Sequence, residues 1–316
     1  LISCAEHWIS QGQEIQGVVA DCPEVSTWAT SRGIDRISGS DKLAVWLARR
    51  PFDFLFSIVN HAIIDAAVLT LPQRRAINFH DSLLPAYSGF NATSWAILGG
   101  ETHHGVTWHE MSGEVDAGPI LLQQAIEISD DDTAFSLGVK CAEAGRDSFL
   151  KLVERVLAEA ATGVAIETIP QAPAHGFNLR SERPGAGFVD FRNSAKDVHA
   201  FIRALDLGSE DNWMCRHKIA TPSGVYLVGA ASVVSGSGLA GEVVGLDHVG
   251  VTVAVADGAI TFSRIATLEG ATVYPPALGL AVGQNVLALQ PADAQAVSDF
   301  DRAITKQERF WVARLA

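Results

Sequence analysis

The chain has 316 residues, 48% of them apolar, with a formal net charge of -13. That length and apolar content can bury a sizeable core in about two domains, which excludes a disordered or fibrous chain. The acidity argues against a nucleic acid as main partner, because phosphate recognition needs a basic face, and no apolar run reaches the roughly 20 residues of a membrane span.

Ile2 to Gln11 reads as an amphipathic helix stopped by Gly12, Ile15 to Ala20 as a strand, and Glu24 to Arg32 as a helix closed by Gly33. Lys42 to Arg49 is helical and ends before Pro51. Phe52 to Val59 is a nearly continuous apolar run, the pattern of a strand buried on both faces. A helix over Ala62 to Leu71, a strand over Ala76 to Phe79 and a short helix over Ala92 to Leu98 follow. Then come strands Gly105 to Glu110 and Ile120 to Ile128, and a long helix from Thr133 to Ala161 closed by Gly163. Strands alternating with helices predict an α/β, doubly wound, mainly parallel sheet. Such domains usually open on a strand, whereas this chain opens inside a helix, so a strand of about ten residues is expected ahead of Leu1.

Pro170, Pro173 and Pro184 with several glycines mark a linker over 170–187. A helix over Ser194 to Leu205 comes next, then short alternating strands over Val225 to Val234, Gly241 to Leu246, Gly250 to Ala256 and Ala259 to Ile265. Asp257-Gly258 is a hairpin signal, and short, evenly spaced strands suggest a small barrel. Ala292 to Leu315 reads as a final, more charged helix. The expected organisation is a catalytic domain over 1–169, the linker, a β domain over 188–292 and a terminal helix over 293–316.

The four cysteines, Cys4, Cys22, Cys141 and Cys215, form no C-x-x-C pair, which leaves zinc and dithiol chemistry without a framework. They read as reduced thiols of a cytoplasmic protein, and Leu1 to Ser10, with Glu6, His7 and Trp8, lacks a basic secretory leader.

The chemistry concentrates in I-N-F-H-D-S-L-L-P-A-Y-S-G, Ile77 to Gly89. Asn78 and His80 fall two apart at the carboxyl end of a strand, where open α/β sheets bind ligands, and their side chains can share one face. An amide can donate to an oxygen gaining negative charge, and an imidazole can take or give a proton near neutral pH. Asp116, in the Gly-bounded loop E-V-D-A-G, is the candidate third group. His61, His103, His104 and His109 are also available, but none has convincing metal-ligand spacing, and Asp130-Asp131-Asp132 reads as the cap of the long helix.

N-x-H-x-S-L-L-P followed by Gly, then G-x-T-x-H, then D-A-G, resembles the 10-formyltetrahydrofolate-dependent formyltransferase family, with the right order and spacing over Leu1 to about Gly163. The resemblance implies a Rossmann-like catalytic domain followed by a small OB-like β-barrel. It implies 10-formyltetrahydrofolate as formyl donor and a catalytic trio of Asn78, His80 and Asp116. It also implies a pterin site on the loop after Phe52 to Val59, through Ile58, Asn60, His61 and Ile63, with Glu114 and Val115 on the facing loop.

Within that family, the stretch around Ser88 to Met111 and the tail E-R-F-W-V-A-R-L look closest to formylation domains of nonribosomal peptide synthetases. The acceptor would then be the α-amine of an aminoacyl group tethered by phosphopantetheine to a peptidyl carrier protein. An adenylation or condensation module would follow on the same chain. Gly187 to Ala316 carries ten Lys/Arg against thirteen Asp/Glu, which disfavours the methionyl-tRNA branch. A sugar nucleotide amine N-formyltransferase remains an alternative, with Arg180, Arg183 and Arg192 as candidate diphosphate contacts. So do a hydrolase releasing formate from the cofactor and an inactive formylfolate-binding docking module.

Overall fold

The computed structural model describes residues 1–305 except 21, 38–42, 48–49, 174–175, 209–211 and 213. The E-R-F-W-V-A-R-L segment therefore lies outside the described residues. Contacts divide the chain into two compact units, one formed by Leu1–Gly89, His103–Glu127 and Gly138–Phe177, the other by Phe90–Thr102, Ile128–Leu137 and Asn178–Ala316.

In the first unit, α1 (Ile2–Ser10), α2 (Pro23–Ser31), α3 (Leu43–Leu47) and α4 (Ala66–Leu69) accompany the strands β1 (Val18–Val19), β2 (Arg36–Ile37), β3 (Phe54–Ile58) and β4 (Arg75–His80). The helix expected over Ala62 to Leu71 starts later, because the Asn60 side chain turns the chain back onto Ala62 and Asp65 caps α4 by accepting the N–H of Ala67. β1 and β2 form a separate parallel pair. The main sheet runs β3-β4-β5-β6, with β5 at His103–Glu110 and β6 at Ile120–Glu127.

The expectation of a mainly parallel sheet is corrected here. Only β3 and β4 pair in parallel, and β4–β5 and β5–β6 are antiparallel. For β5 and β6 the reason lies in the connection: they are joined by the loop 111–119, which holds no helix, and neighbours joined without a crossover run antiparallel. Between β4 and β5 a helix does intervene, α5 at Ala92–Leu98, so that reversal has no such local sign.

One face of this sheet is packed by α6, Ala134–Thr162. Phe79 and Trp108, direct cross-strand partners with ring centroids 5.0 Å apart, meet Phe149 of α6 there. The Trp108 indole N–H donates to the Ser148 hydroxyl at 2.9 Å. Gly145 lets the helix come this close, since a Cβ there would sit 2.6 Å from the Phe79 ring. With Ile77, Trp108 and Phe149 at most 2% exposed, β4 shows its odd-numbered residues to the core, which leaves Asn78 and His80 on the opposite face.

The second unit holds α5 (Ala92–Leu98), α7 (Ala195–Ala204) and a five-stranded antiparallel sheet, ordered β7-β8-β11-β10-β9. Its strands are β7 (Lys218–Thr221), β8 (Gly224–Val234), β9 (Val243–Leu246), β10 (Gly250–Val255) and β11 (Gly258–Ala266). Asp257-Gly258 makes the expected hairpin between β10 and β11. β7 was not expected; four residues framed by Pro222 and His217 carry too little periodicity to read. The edge strands do not pair with each other among the described residues. Instead residues 283–287 strap both edges, with the Leu287 N–H donating to the Ala220 carbonyl and the Val286 N–H to that of Gly241, each at 2.9 Å. A strapped five-stranded sheet is thus the extent to which the barrel expectation is met. α8 (Pro291–Thr305) closes the described chain, and no described helix is long and apolar enough to cross a membrane.

At the other end of β4, Arg75 donates to Glu159 of α6 through two nitrogens, one at 2.7 Å, and also pairs with Glu110. The Arg75 hydrogen bonds hold the Glu159 carboxyl below its ordinary value of 4.5, against the upward push of burial. A carboxylate with a lowered folded pKa adds stability that is complete above its unfolded value and is lost as pH falls through the folded one. Glu159→Gln should therefore cost about 1–2 kcal/mol at pH 7 and lose less stability than the parent below pH 4.5, read by urea unfolding. Parallel pH profiles for the two proteins would contradict this role.

Candidate active site

The register of β4 on β5 assembles the site. Asn78 stands opposite His109 and His80 opposite Thr107, all on the face turned away from α6. The turn after β4 is held from below by buried hydroxyls. Thr107 donates to the Ser82 carbonyl at 2.6 Å and accepts the Leu84 N–H at 3.2 Å, while Ser82 donates to the Ala86 carbonyl at 2.6 Å. Gln123 of β6 donates to both the Leu84 carbonyl and the Thr107 hydroxyl at 2.9 Å, and His104 pairs with the Asp81 carbonyl at 2.6 Å. These bonds fix the strand end from which His80 projects.

His80 Nε2 faces the Tyr87 carbonyl at 3.0 Å and so carries a proton, which leaves Nδ1 toward Asp116 Oδ2 at 3.6 Å. His109 Nδ1 faces the Glu110 carbonyl at 2.9 Å, so that nitrogen is also a donor. His109 Nε2 lies 3.2 Å from Asn78 Nδ2 and 3.7 Å from Asp116 Oδ1. In neutral His109, Nε2 is the acceptor for one Asn78 amide hydrogen, and the second amide hydrogen is available to a ligand oxygen. Asp116 thus stands between two imidazoles and accepts the Gly89 N–H at 2.9 Å. Burial pushes its carboxyl up, but His109, the charge on His80 and the Gly89 N–H together bring it below its ordinary value, so it is ionised at neutral pH.

Asp116 has φ +56°, in the left-handed region that aspartate tolerates better than most residues. Two residues on, Gly118 passes so close to β5 that a Cβ would lie 1.8 Å from the Glu110 carbonyl oxygen, so only glycine fits. The D-A-G sequence is therefore a backbone requirement as well as a source of the carboxylate.

The expected trio comes together, and His109 joins it. The readable signal for His109 was the G-x-T-x-H spacing, but its place beside Asn78 depends on the strand register. Of the six expected cofactor residues, five lie on flanking loops and Ile58 is the last residue of a strand. Ile58 ends β3 and packs its side chain on the core behind the sheet, and Asn60 ties both ends of its amide to Ala62. His61 and Glu114 are exposed, as are Ile63 at 84% and Val115 at 52%. Because β3 and β4 are parallel neighbours, residues 59–63 leave the sheet at the same end as His80. Val59 has φ +52° while 69% exposed, an outlier for a β-branched residue and a mark of local strain. Two concave pockets, about 330 Å³ beside Arg183 and Arg192 and about 570 Å³ beside Gln16 and Arg32, include none of the trio, so the chemistry of the side chains identifies the site rather than concavity.

Comparison with known proteins bears on the fold that carries this site. Residues 53–153 match the formyl transferase family model. The N-formyltransferase from Helicobacter canadensis, solved with folinic acid and dTDP-3-aminofucose, is 18% identical with a TM-score of 0.62, over 83% of this chain and 94% of that one. WlaRD, a sugar 3N-formyltransferase solved with dTDP and 5-N-formyl-THF, is 18% identical with a TM-score of 0.58, over 76% and 80%. HypX from Aquifex aeolicus, solved with tetrahydrofolic acid, is 22% identical with a TM-score of 0.55 over 76% of this chain, which spans only 41% of HypX. At these identities the likeness is one of fold. The chain thus carries a formyl transferase domain sequence over residues 53–153, set in the fold that these formyltransferases and HypX share.

Proposed function

We propose that this chain transfers a formyl group from 10-formyltetrahydrofolate to a primary amine. The observation that carries the reading is the cluster of Asn78, His80, His109 and ionised Asp116 on one face of the sheet. The attacking amine nitrogen forms a bond to the formyl carbon, and the carbonyl electron pair moves onto oxygen. The free Asn78 amide hydrogen meets that oxyanion. The amine then gives up a proton toward Asp116 and its imidazoles, N10 of the folate gains one, and the carbon–N10 bond breaks to release tetrahydrofolate. Folate ligands in the related structures support the donor, and exposed Val59, Ile63 and Val115 supply apolar surface for its ring. A docking module with a dead site would have no need of an intact trio of Asn78, His80 and Asp116.

For the acceptor, we infer the α-amine of an aminoacyl group tethered to a peptidyl carrier protein. The resemblance of the stretch Ser88 to Met111 and of the E-R-F-W tail to formylation domains of peptide synthetases supports this, and the net charge of -13 disfavours tRNA. A sugar nucleotide amine is the second reading, favoured by the sugar N-formyltransferases among the related folds. Against it, Arg192 directs Nε and a terminal nitrogen to Asp190, at 2.8 and 2.7 Å, rather than toward a diphosphate.

Intact-mass analysis with 10-formyltetrahydrofolate, aminoacyl-loaded carrier proteins and amino-sugar nucleotides in parallel separates these acceptors. One formyl group on the carrier-bound amino acid is expected; transfer to sugars alone would move the assignment to the second reading. Formate release without any amine would instead indicate a hydrolase. His80→Ala and Asp116→Asn should each lower kcat by about 10²–10⁴-fold, and Asn78→Ala by about 10²–10³-fold, with folded proteins by thermal denaturation. Near-parental turnover in any of the three would remove that residue from the mechanism.

A further inference from the structure

Gln171 lies beyond the 53–153 match, in the proline-rich stretch whose composition reads as a linker. It is tied into the site nonetheless. Ile169 and Ile120 exchange backbone hydrogen bonds at 2.8 and 2.9 Å, which pins the chain after α6 to the start of β6. Two residues later the Gln171 amide reaches under the D-A-G loop, where Nε2 donates to the carbonyls of Asp116 at 2.9 Å and Gly118 at 2.6 Å. Both amide hydrogens are thereby used, and two carbonyl acceptors fix the amide's orientation. Its Oε1 is buried without a partner among the described residues. Leaving a buried acceptor without a partner is unfavourable, so the amide sits where its donors are required rather than where both of its ends are satisfied.

The held segment is the one that needs holding. Asp116 is left-handed at φ +56°, and its carboxylate must stay within reach of His80, His109 and the Gly89 N–H. Gly118 is jammed against the Glu110 carbonyl on one side, and Gln171 ties the same turn from the other. A turn clamped at both its first and third carbonyls has little freedom to rotate the Asp116 side chain.

We propose that Gln171 is a positioning residue for Asp116, acting through the backbone of residues 116–118 to aim the carboxylate between the two imidazoles. Its effect on turnover rests on the formyl-transfer reading; its effect on the carboxylate does not.

The test replaces Gln171 with Met, similar in length and without donors, and reads two quantities. In ¹³C-carboxyl NMR, Asp116 should titrate closer to its ordinary value of 3.8 as it leaves the groups that lower it, His109, His80 and the Gly89 N–H. In turnover, kcat should fall about ten- to hundredfold with the KM for donor within about twofold, the scale expected of a misplaced catalytic group. In an Asp116→Asn background the same change should cause no further loss, because its target is already disabled. Should Gln171→Met not fold, Gln171→Asn, one methylene too short to reach both carbonyls, is read in the same way. An unchanged Asp116 titration, or a loss that adds in full to that of Asp116→Asn, would overturn the proposal. If the parent protein transfers no formyl group at all, the functional reading falls while the titration still decides the role of Gln171.

Discussion

The site depends on one constraint, the register of β4 against β5. That ladder sets Asn78 opposite His109 and His80 opposite Thr107 on one face, and Phe79 opposite Trp108 on the other. A slip of one residue would exchange the faces, burying the polar groups against α6 and exposing the aromatic ones. What prevents the slip is packing. Trp108 and Phe149 are at most 2% exposed, and the glycine at position 145 brings the helix onto the Phe79 ring. The hydrophobic core thus determines which side chains reach the chemistry, and the reactive face needs no separate scaffold.

The second constraint is electrostatic. A carboxylate removed from water is costly unless it is paired, and Asp116 stands between two imidazoles, 3.6 Å from His80 Nδ1 and 3.7 Å from His109 Nε2, each an ion-pair partner when it is protonated. The Gly89 N–H adds a fixed donor. These groups outweigh the burial that would neutralise the acid, so the site keeps a negative charge next to two proton carriers. In its neutral form His109 instead turns Nε2 to the Asn78 amide as an acceptor, which orients that amide and leaves its second hydrogen for a ligand. In the proposed reaction, binding, proton transfer and oxyanion stabilisation would share this one small group of side chains.

Much of this was legible in the residues. The helix over Ala92 to Leu98 falls where its periodicity puts it, as does the hairpin at Asp257-Gly258, because both rest on local signals. Asn78 and His80 could be placed on one face by strand alternation alone. His109 could not, since its position beside Asn78 is a cross-strand relation that no single strand encodes. Strand direction failed for a related reason: alternation of strands and helices suggests parallel neighbours, yet β4 and β5 run antiparallel with α5 between them, a pairing that no single segment encodes. Gln171 was hidden by its neighbours, because prolines at 170 and 173 signal a linker whatever the side chain between them does. The cofactor loops remain the least determined part, carried by resemblance and by the strain at Val59 rather than by contacts.

The most direct test of the account is to locate the formyl group on the protein. With a ¹³C-formyl folate donor bound to protein labelled in its Asn and His side chains, NMR would measure nuclear Overhauser contacts between the formyl proton and the side chains nearest it. The account predicts contacts to the Asn78 amide and the His80 ring. A donor bound with its formyl proton close to neither, for example beside Phe188 and Arg192 in the second unit, would contradict it.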